Sequence, residues 1–248
     1  MIIAILMGRK GSVGFPGKNV YSVLGRPLAH YPMRAAKNCP EIDRIYLSTD
    51  DRQLAKLAKA SGVEVIKRPP KLCTDKALGE DVYLHAYNYA KKKNKVQKID
   101  QVILLMCNAA TIMSATISKG IKILKKHPNY DSCVTVSKYN MWSPLRARKI
   151  DSDNLLKPFI PLELFAGSKK LNCDRDSQGD VWFADMGVSI VRPRCLENIK
   201  AGLLPQKWMG QRIYPLKQDG GLDVDYEWQI PQIEYWLREH GISGINKE

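Results

Sequence analysis

The order of apolar and amphipathic segments predicts a three-layer α/β/α fold around a mostly parallel sheet. Two observations carry this expectation: apolar runs of strand length recur along the chain, and stretches with apolar residues at i, i+3 and i+4 lie between them. IIAILM (Ile2 to Met7) has no polar residue, as expected of a strand covered on both faces. LAHYPMRAAKN (Leu28 to Asn38) reads as a helix, RIYLST (Arg44 to Thr49) as a strand, DRQLAKLAKASG (Asp51 to Gly62) as a helix and VEVIKR (Val63 to Arg68) as a strand. QVILLM (Gln101 to Met106), TISKGIKILKKH (Thr116 to His127), SCVTVS (Ser132 to Ser137) and MGVSIV (Met186 to Val191) continue the alternation as strand, helix, strand and strand. From about residue 138 to 185 the alternation fails, and this aromatic- and proline-containing stretch reads as an insertion within one domain spanning 1–248.

In such folds ligands bind beyond the carboxyl ends of the strands. That rule selects four loops: GRKGSVGFPGKN (Gly8 to Asn19), STDD (Ser48 to Asp51), RPPKLCTD (Arg68 to Asp75) and CNAAT (Cys107 to Thr111).

Composition narrows the class. With 44% hydrophobic and 26% charged residues the chain reads as soluble and globular, and no apolar run approaches the ~20 residues of a membrane span. The N-terminal apolar run has neither a basic segment before it nor a cleavage site after it, so a cytoplasmic location is expected. The six cysteines form no CxxC pair and the four histidines are scattered, which argues against zinc and disulfide frameworks. A net charge of +14 suits polyanions, nucleic acid among them. Much of it falls in clusters such as Lys91 to Lys98 at apparent helix ends, and no base-reading module accompanies it.

The first loop has glycine at every third position, Gly8, Gly11, Gly14 and Gly17, with Arg9, Lys10 and Lys18 between them. It lacks the GK[ST] ending of a phosphate-binding P-loop and the GxG of a dinucleotide fingerprint. Composition alone leaves open a plain glycine-rich turn; three cations on a loop that lets an anion approach its backbone favour a triphosphate.

GRKGSVGFPGKN, LGRPLAHYPMRAA (Leu24 to Ala36), STDD, VEVIKRPPKLCTD and GLDVDYEWQIPQIEYWL (Gly221 to Leu237) together resemble, in order, the acylneuraminate cytidylyltransferases. The resemblance implies a Rossmann-like nucleotidyltransferase fold with an inserted dimerisation subdomain. It also implies a reaction of CTP with a 2-keto sugar acid to give a CMP-sugar and pyrophosphate, with Mg²⁺, in a homodimer. It assigns Arg9, Ser12, Lys18 and Asn19 to the phosphate and nucleotide loop, with Arg9 and Lys18 catalytic, and Arg68 and Asp75 to the nucleotide. Asp223 and Asp225 match the metal-binding pair, and Arg146 and Arg175 match basic residues around the sugar acid. Two aspartates one residue apart on an extended strand would share a face.

The sequence departs from the family pattern where Val13 follows the serine in place of lysine, where LLMCNAATI replaces a stretch like LLQPTSPLR, and where Met186-Gly187-Val188 replaces NGA. These changes point to a sugar acid with another N-acyl or deoxy pattern. Other readings of the residues are a nucleotidyltransferase or metal-dependent glycosyltransferase acting on another sugar, and a basic nucleic-acid-binding protein.

Overall fold

In the computed structural model, which describes residues 1–164 and 171–244, the first apolar run forms strand β1 (Ile2–Met7) at the heart of a seven-stranded sheet. Ile2, Ala4 and Leu6 enter one core while Ile3 and Ile5 enter the other, so both faces of the strand are consumed by packing. A two-residue ladder, β2 (Ser22–Val23) with β3 (Arg26–Pro27), follows the glycine loop. Strands β4 (Arg44–Thr49), β5 (Glu64–Lys67) and β6 (Gln101–Met106) extend the sheet in parallel.

Beyond β6 the direction changes. Strand β7 (Ser132–Lys138) and the edge strand β11 (Ile213–Gln218) are parallel to each other, and β10 (Trp182–Val191) runs antiparallel between β6 and β7. The order is β11-β7-β10-β6-β1-β4-β5. Pro215 within β11 is tolerated because an edge strand can spare a donor.

Helices α1 (His30–Lys37), α2 (Arg52–Ala60) and α4 (Ser114–Lys126) bury Met33, Leu54 and Ile121 on one face of the sheet. Helices α3 (Gly79–Lys93) and α5 (Pro193–Glu197) bury Tyr83, Tyr87 and Leu196 on the other, which gives the three layers expected. Helix α6 (Ile230–Glu239) joins a third cluster, where Ile233 and Trp236 pack with Phe15, Ala110 and Val224. This cluster draws three distant loops to one end of the sheet.

The insertion is narrower than expected. Lys138 completes β7, and Trp182, Phe183 and Ala184 already pair with Lys138, Ser137 and Val136, so the segment outside the sheet is 139–181. It carries a short hairpin, β8 (Arg148–Ile150) with β9 (Leu156–Pro158). Between Ala184 and Ser189, β10 bulges by three residues relative to β7, and Met186 there adopts the left-handed region at φ 61°. All six cysteines are free, and among the described residues no helix is long and apolar enough to cross a membrane.

Candidate active site

The carboxyl ends of β1 and β6, where Met7 lies opposite Met106, open into a cleft of about 520 Å³. Its lining includes Arg9, Ser12, Lys18, Asn19, Arg68 and Asp225, six of the ten residues singled out in the sequence.

The four glycines of the first loop do different work. A Cβ on Gly8 would meet Leu54 Cδ2 at 2.6 Å, and one on Gly14 would meet the Asp225 carbonyl at 2.8 Å. Gly17 turns the chain at φ 77°. Gly11 and Gly17 both have open space around them, but Gly17 is required by its positive φ, so most of this glycine pattern is explained by close packing and by the turn rather than by an anion. The turn passes into a single 3-10 turn, Lys18–Val20, which buries Asn19 and aims its Nδ2 at the Arg9 carbonyl, 3.2 Å away.

Lys18 is the link between the two ends of the chain. Its Nζ lies 2.7 Å from Asp225 Oδ1 and 2.5 Å from the Val224 carbonyl. Val224 is fully buried while Asp223 and Asp225 flank it, the alternation expected of an extended segment, although the segment is an irregular loop rather than a strand. Burial, reinforced by the Asp225 charge, pushes the Asp223 carboxyl above its ordinary range, with Lys18 and Asn108 opposing. Two carboxylates, one of them held against its own desolvation, form an oxygen donor set suited to a hard divalent cation.

Arg68 is 5% exposed and ties strand ends together. Its Nη2 donates to the Ser48 carbonyl at 2.6 Å and the Gly8 carbonyl at 3.3 Å, and its Nε donates to Ser48 Oγ at 3.3 Å. Burial lowers its pKa, and the Asp50 charge opposes that shift. Arg68 therefore both floors the cleft and fixes the loop above it.

Asp223 touches the cleft residue Asn108 without itself lining the cleft, and Asp75, Arg146 and the backbone of Arg175 lie elsewhere. Asp75 is exposed and outside the cleft; its neighbours Thr74 and Ala77 line the wall instead. Arg146 is exposed on the insertion, where its Nη2 donates to the Cys173 carbonyl at 2.8 Å beside a separate cavity that shares no lining residue with the cleft. The backbone of Arg175 begins a short 3-10 turn, and its side chain lies outside the described residues. The cause is topological, since both arginines sit on the arm that leaves the sheet. Val13 is 83% exposed, and Lys10, whose amide donates to Asp50 Oδ1, is not in the cleft, so no lysine replaces the charge missing at Val13.

Asn108 was not among the residues expected. It lines the cleft, accepts the Val224 amide on its own carbonyl at 2.9 Å, and donates Nδ2 to the Val224 carbonyl at 2.9 Å and to Asp223 Oδ2 at 3.3 Å. The CNAAT loop signalled a position; nothing in its composition signalled this partner. The apolar end of the cleft is formed by Met7, Met106, Val82 and Trp208, with Trp208 only 7% exposed.

The chain is similar to several known proteins. A family model described as Cytidylyltransferase matches residues 3–152. The chain is 24% identical over 246 residues to an N-acylneuraminate cytidylyltransferase of Oncorhynchus mykiss, covering 99% of this chain and 52% of that protein. It is 31% identical over 175 residues to the CMP-N,N'-diacetyllegionaminic acid synthase of Legionella pneumophila subsp. pneumophila, covering 68% of this chain and 73% of that protein. The chain thus spans about half the length of the fish relative. A solved CMP:2-keto-3-deoxy-manno-octonic acid synthetase, complexed with CTP, has the same fold at a TM-score of 0.67 and 14% identity, over 96% of this chain and 99% of that one. A family model over more than half of the chain, together with a relative 31% identical and covered over 73% of its length, makes it a member of the acylneuraminate cytidylyltransferase family.

Proposed function

We propose that the chain transfers CMP from CTP to a 2-keto sugar acid of the nonulosonate or octulosonate class, releasing pyrophosphate. The observation that carries this reading is the contact of Lys18 with Asp225, which brings the cationic loop and the acidic segment together at one mouth of the cleft. The sugar hydroxyl gives its proton to water, and its oxygen forms a bond to the α-phosphorus as the bond to the oxygen bridging to the β-phosphate breaks. Arg9 and Lys18 offset the charge that grows on the departing pyrophosphate. Ser12 and Asn19 orient the nucleotide from the same loop, and Arg68 supports it from below. Mg²⁺, bound by Asp223 and Asp225 with the nucleotide, would supply further neutralisation of the phosphates.

The thioethers and indole of Met7, Met106 and Trp208 favour an acceptor with an apolar substituent, such as a deoxy carbon or an N-acyl methyl, over a fully hydroxylated one. A hydroxyl facing these groups would give up its water without a partner. The free cysteines accord with a reducing cytoplasm.

The arm supports a homodimer. Trp142, Phe159 and Leu164 are all more than 60% exposed on it, an apolar surface that a second copy would cover. In that arrangement Arg146 serves the carboxylate of the sugar acid in the partner's cleft, for which the guanidinium fork is suited.

The test is pyrophosphate release with Mg²⁺ from CTP, UTP, ATP and GTP against a panel of 2-keto sugar acids that includes 9-deoxy and N-acylated members. Release with CTP alone, fastest with a deoxy or N-acylated acid, is the expected result. Turnover with another nucleotide, or binding to nucleic acid without pyrophosphate release, would overturn the reading.

A further inference from the structure

The bulge in β10 places a buried carboxylate behind the acidic loop. Asp185 is 5% exposed, and among the described residues it has no salt bridge. Its oxygens are instead filled by neutral donors: Ser137 Oγ at 2.6 Å and Gln218 Nε2 at 3.0 Å to Oδ2, and the Gly187 amide at 3.1 Å to Oδ1.

The remaining bonds of these donors run to the segment that precedes Asp223. Ser137 Oγ accepts the Gly221 amide at 2.9 Å. Gln218 Nε2 also donates to the Thr111 carbonyl at 3.1 Å, and the Thr111 hydroxyl accepts the Leu222 amide at 2.9 Å and donates to the Leu222 carbonyl at 3.1 Å. Gly221 is pressed so closely on the Asp185 carboxylate and the Gln218 amide that a Cβ there would collide with both.

A buried carboxylate without a counter-charge costs stability, so its presence calls for a reason. An asparagine of the same shape would not replace it. Both oxygens act as acceptors, and an amide would turn its NH₂ toward either the Gly187 amide or the Ser137 and Gln218 donors. Only an acceptor-only group satisfies all three at once.

We propose that Asp185 is a positioning residue of the cleft: through Ser137, Gln218 and Thr111 it fixes the backbone of Gly221 and Leu222, and so the place from which Asp223 and Asp225 present their carboxylates to a divalent cation. This rests on the metal-binding role given to that pair above.

The experiment is Mn²⁺ binding to the full chain with CTP present, with free Mn²⁺ read by electron paramagnetic resonance, for wild type, Asp185→Asn, Thr111→Val and Asp223→Asn. Asp223→Asn is expected to abolish the site. Asp185→Asn is expected to weaken Mn²⁺ about tenfold, in line with losses of orienting partners around metal ligands, while CTP affinity without metal is unchanged. A folded Asp185→Asn protein with a lowered Tm and wild-type Mn²⁺ affinity would reduce Asp185 to a structural residue and overturn the proposal. If that variant does not fold, Thr111→Val decides in the same way, because it cuts the same chain of bonds at Leu222 while keeping the side-chain shape. Wild-type Mn²⁺ affinity in Asp223→Asn would overturn the metal role itself, and this inference with it.

Discussion

In the cleft, groups from separate loops complete one another: Lys18 meets Asp225 and Val224, Arg68 meets Ser48 and Gly8, and Asn108 meets Asp223. On the arm of residues 139–181 the opposite holds. Among the described residues Arg146 reaches only the Cys173 carbonyl, while Trp142 and Phe159 stand 63% and 61% exposed. These are the groups that the proposed second copy would cover. The contrast separates a region that a single chain finishes from one that it leaves open, and each can be tested by removing what it depends on.

The largest effect is expected from Lys18→Ala, which takes away both the cation at the leaving group and the partner of Asp225. Pyrophosphate release should fall about 10²–10³-fold in kcat/KM, the scale seen when one preorganised charge-stabilising donor is lost. A fall of less than about threefold would place Lys18 outside the reaction and break the comparison at its stronger end.

Arg146→Ala should cost about 10–100-fold in kcat/KM for the sugar acid, as expected for one charge-assisted pair, with CTP affinity unchanged. Mixing Arg146→Ala with Lys18→Ala sharpens the contrast. If each arm serves the other subunit's cleft in a twofold dimer, exchange of subunits should restore roughly a quarter of wild-type activity, one sound site in half of the dimers. No recovery on mixing would mean that each arm folds back on its own cleft.

The smallest effect concerns stability. The Asp223 carboxyl is raised by burial and by Asp225, so the folded protein holds its proton to higher pH than the unfolded chain does. Stability contributed by protonation there is present below the unfolded carboxyl pKa and is lost as pH rises through the raised folded value. Asp223→Asn should therefore melt about 2–4 °C higher than wild type near neutral pH, where about 1 kcal/mol of buried-charge cost is removed, and the gap should close in acid. An equal gap at both ends of the pH range would show that the cost lies in packing.

The central strands were legible because they are buried on both faces: IIAILM and QVILLM form β1 and β6 with the same ends as their apolar runs. Helix α3 was not, since its buried tyrosines and alanines sit among polar neighbours without a clean apolar stripe. Strand β11 was hidden by Pro215, which only its edge position permits. In the site, the resemblance named Arg9, Ser12, Lys18, Asn19, Arg68 and Asp225, and the fold brings these six to one cleft. Asn108 and Asp185 could not be read, because their roles depend on partners about a hundred and about thirty residues away, brought close by the sheet. Met186 was noticed only as a lost asparagine. Its φ of 61° supplies the physical sense of that change, for asparagine tolerates the left-handed region and a methionine there is strained, with its side chain packed on the core instead.

The contact of Gly14 with the Asp225 carbonyl, and the bond from Lys18 to Val224 across 206 positions of sequence, also set the order in which the molecule can become competent. During synthesis, at about 5–20 residues per second, the central strands can pair while the chain is still emerging. The cleft lacks its Asp225 side until the DVD segment has left the ribosome. Completion of the cleft is therefore a late event in the life of each molecule, and a chain stopped before residue 223 would carry the glycine loop without its counterpart.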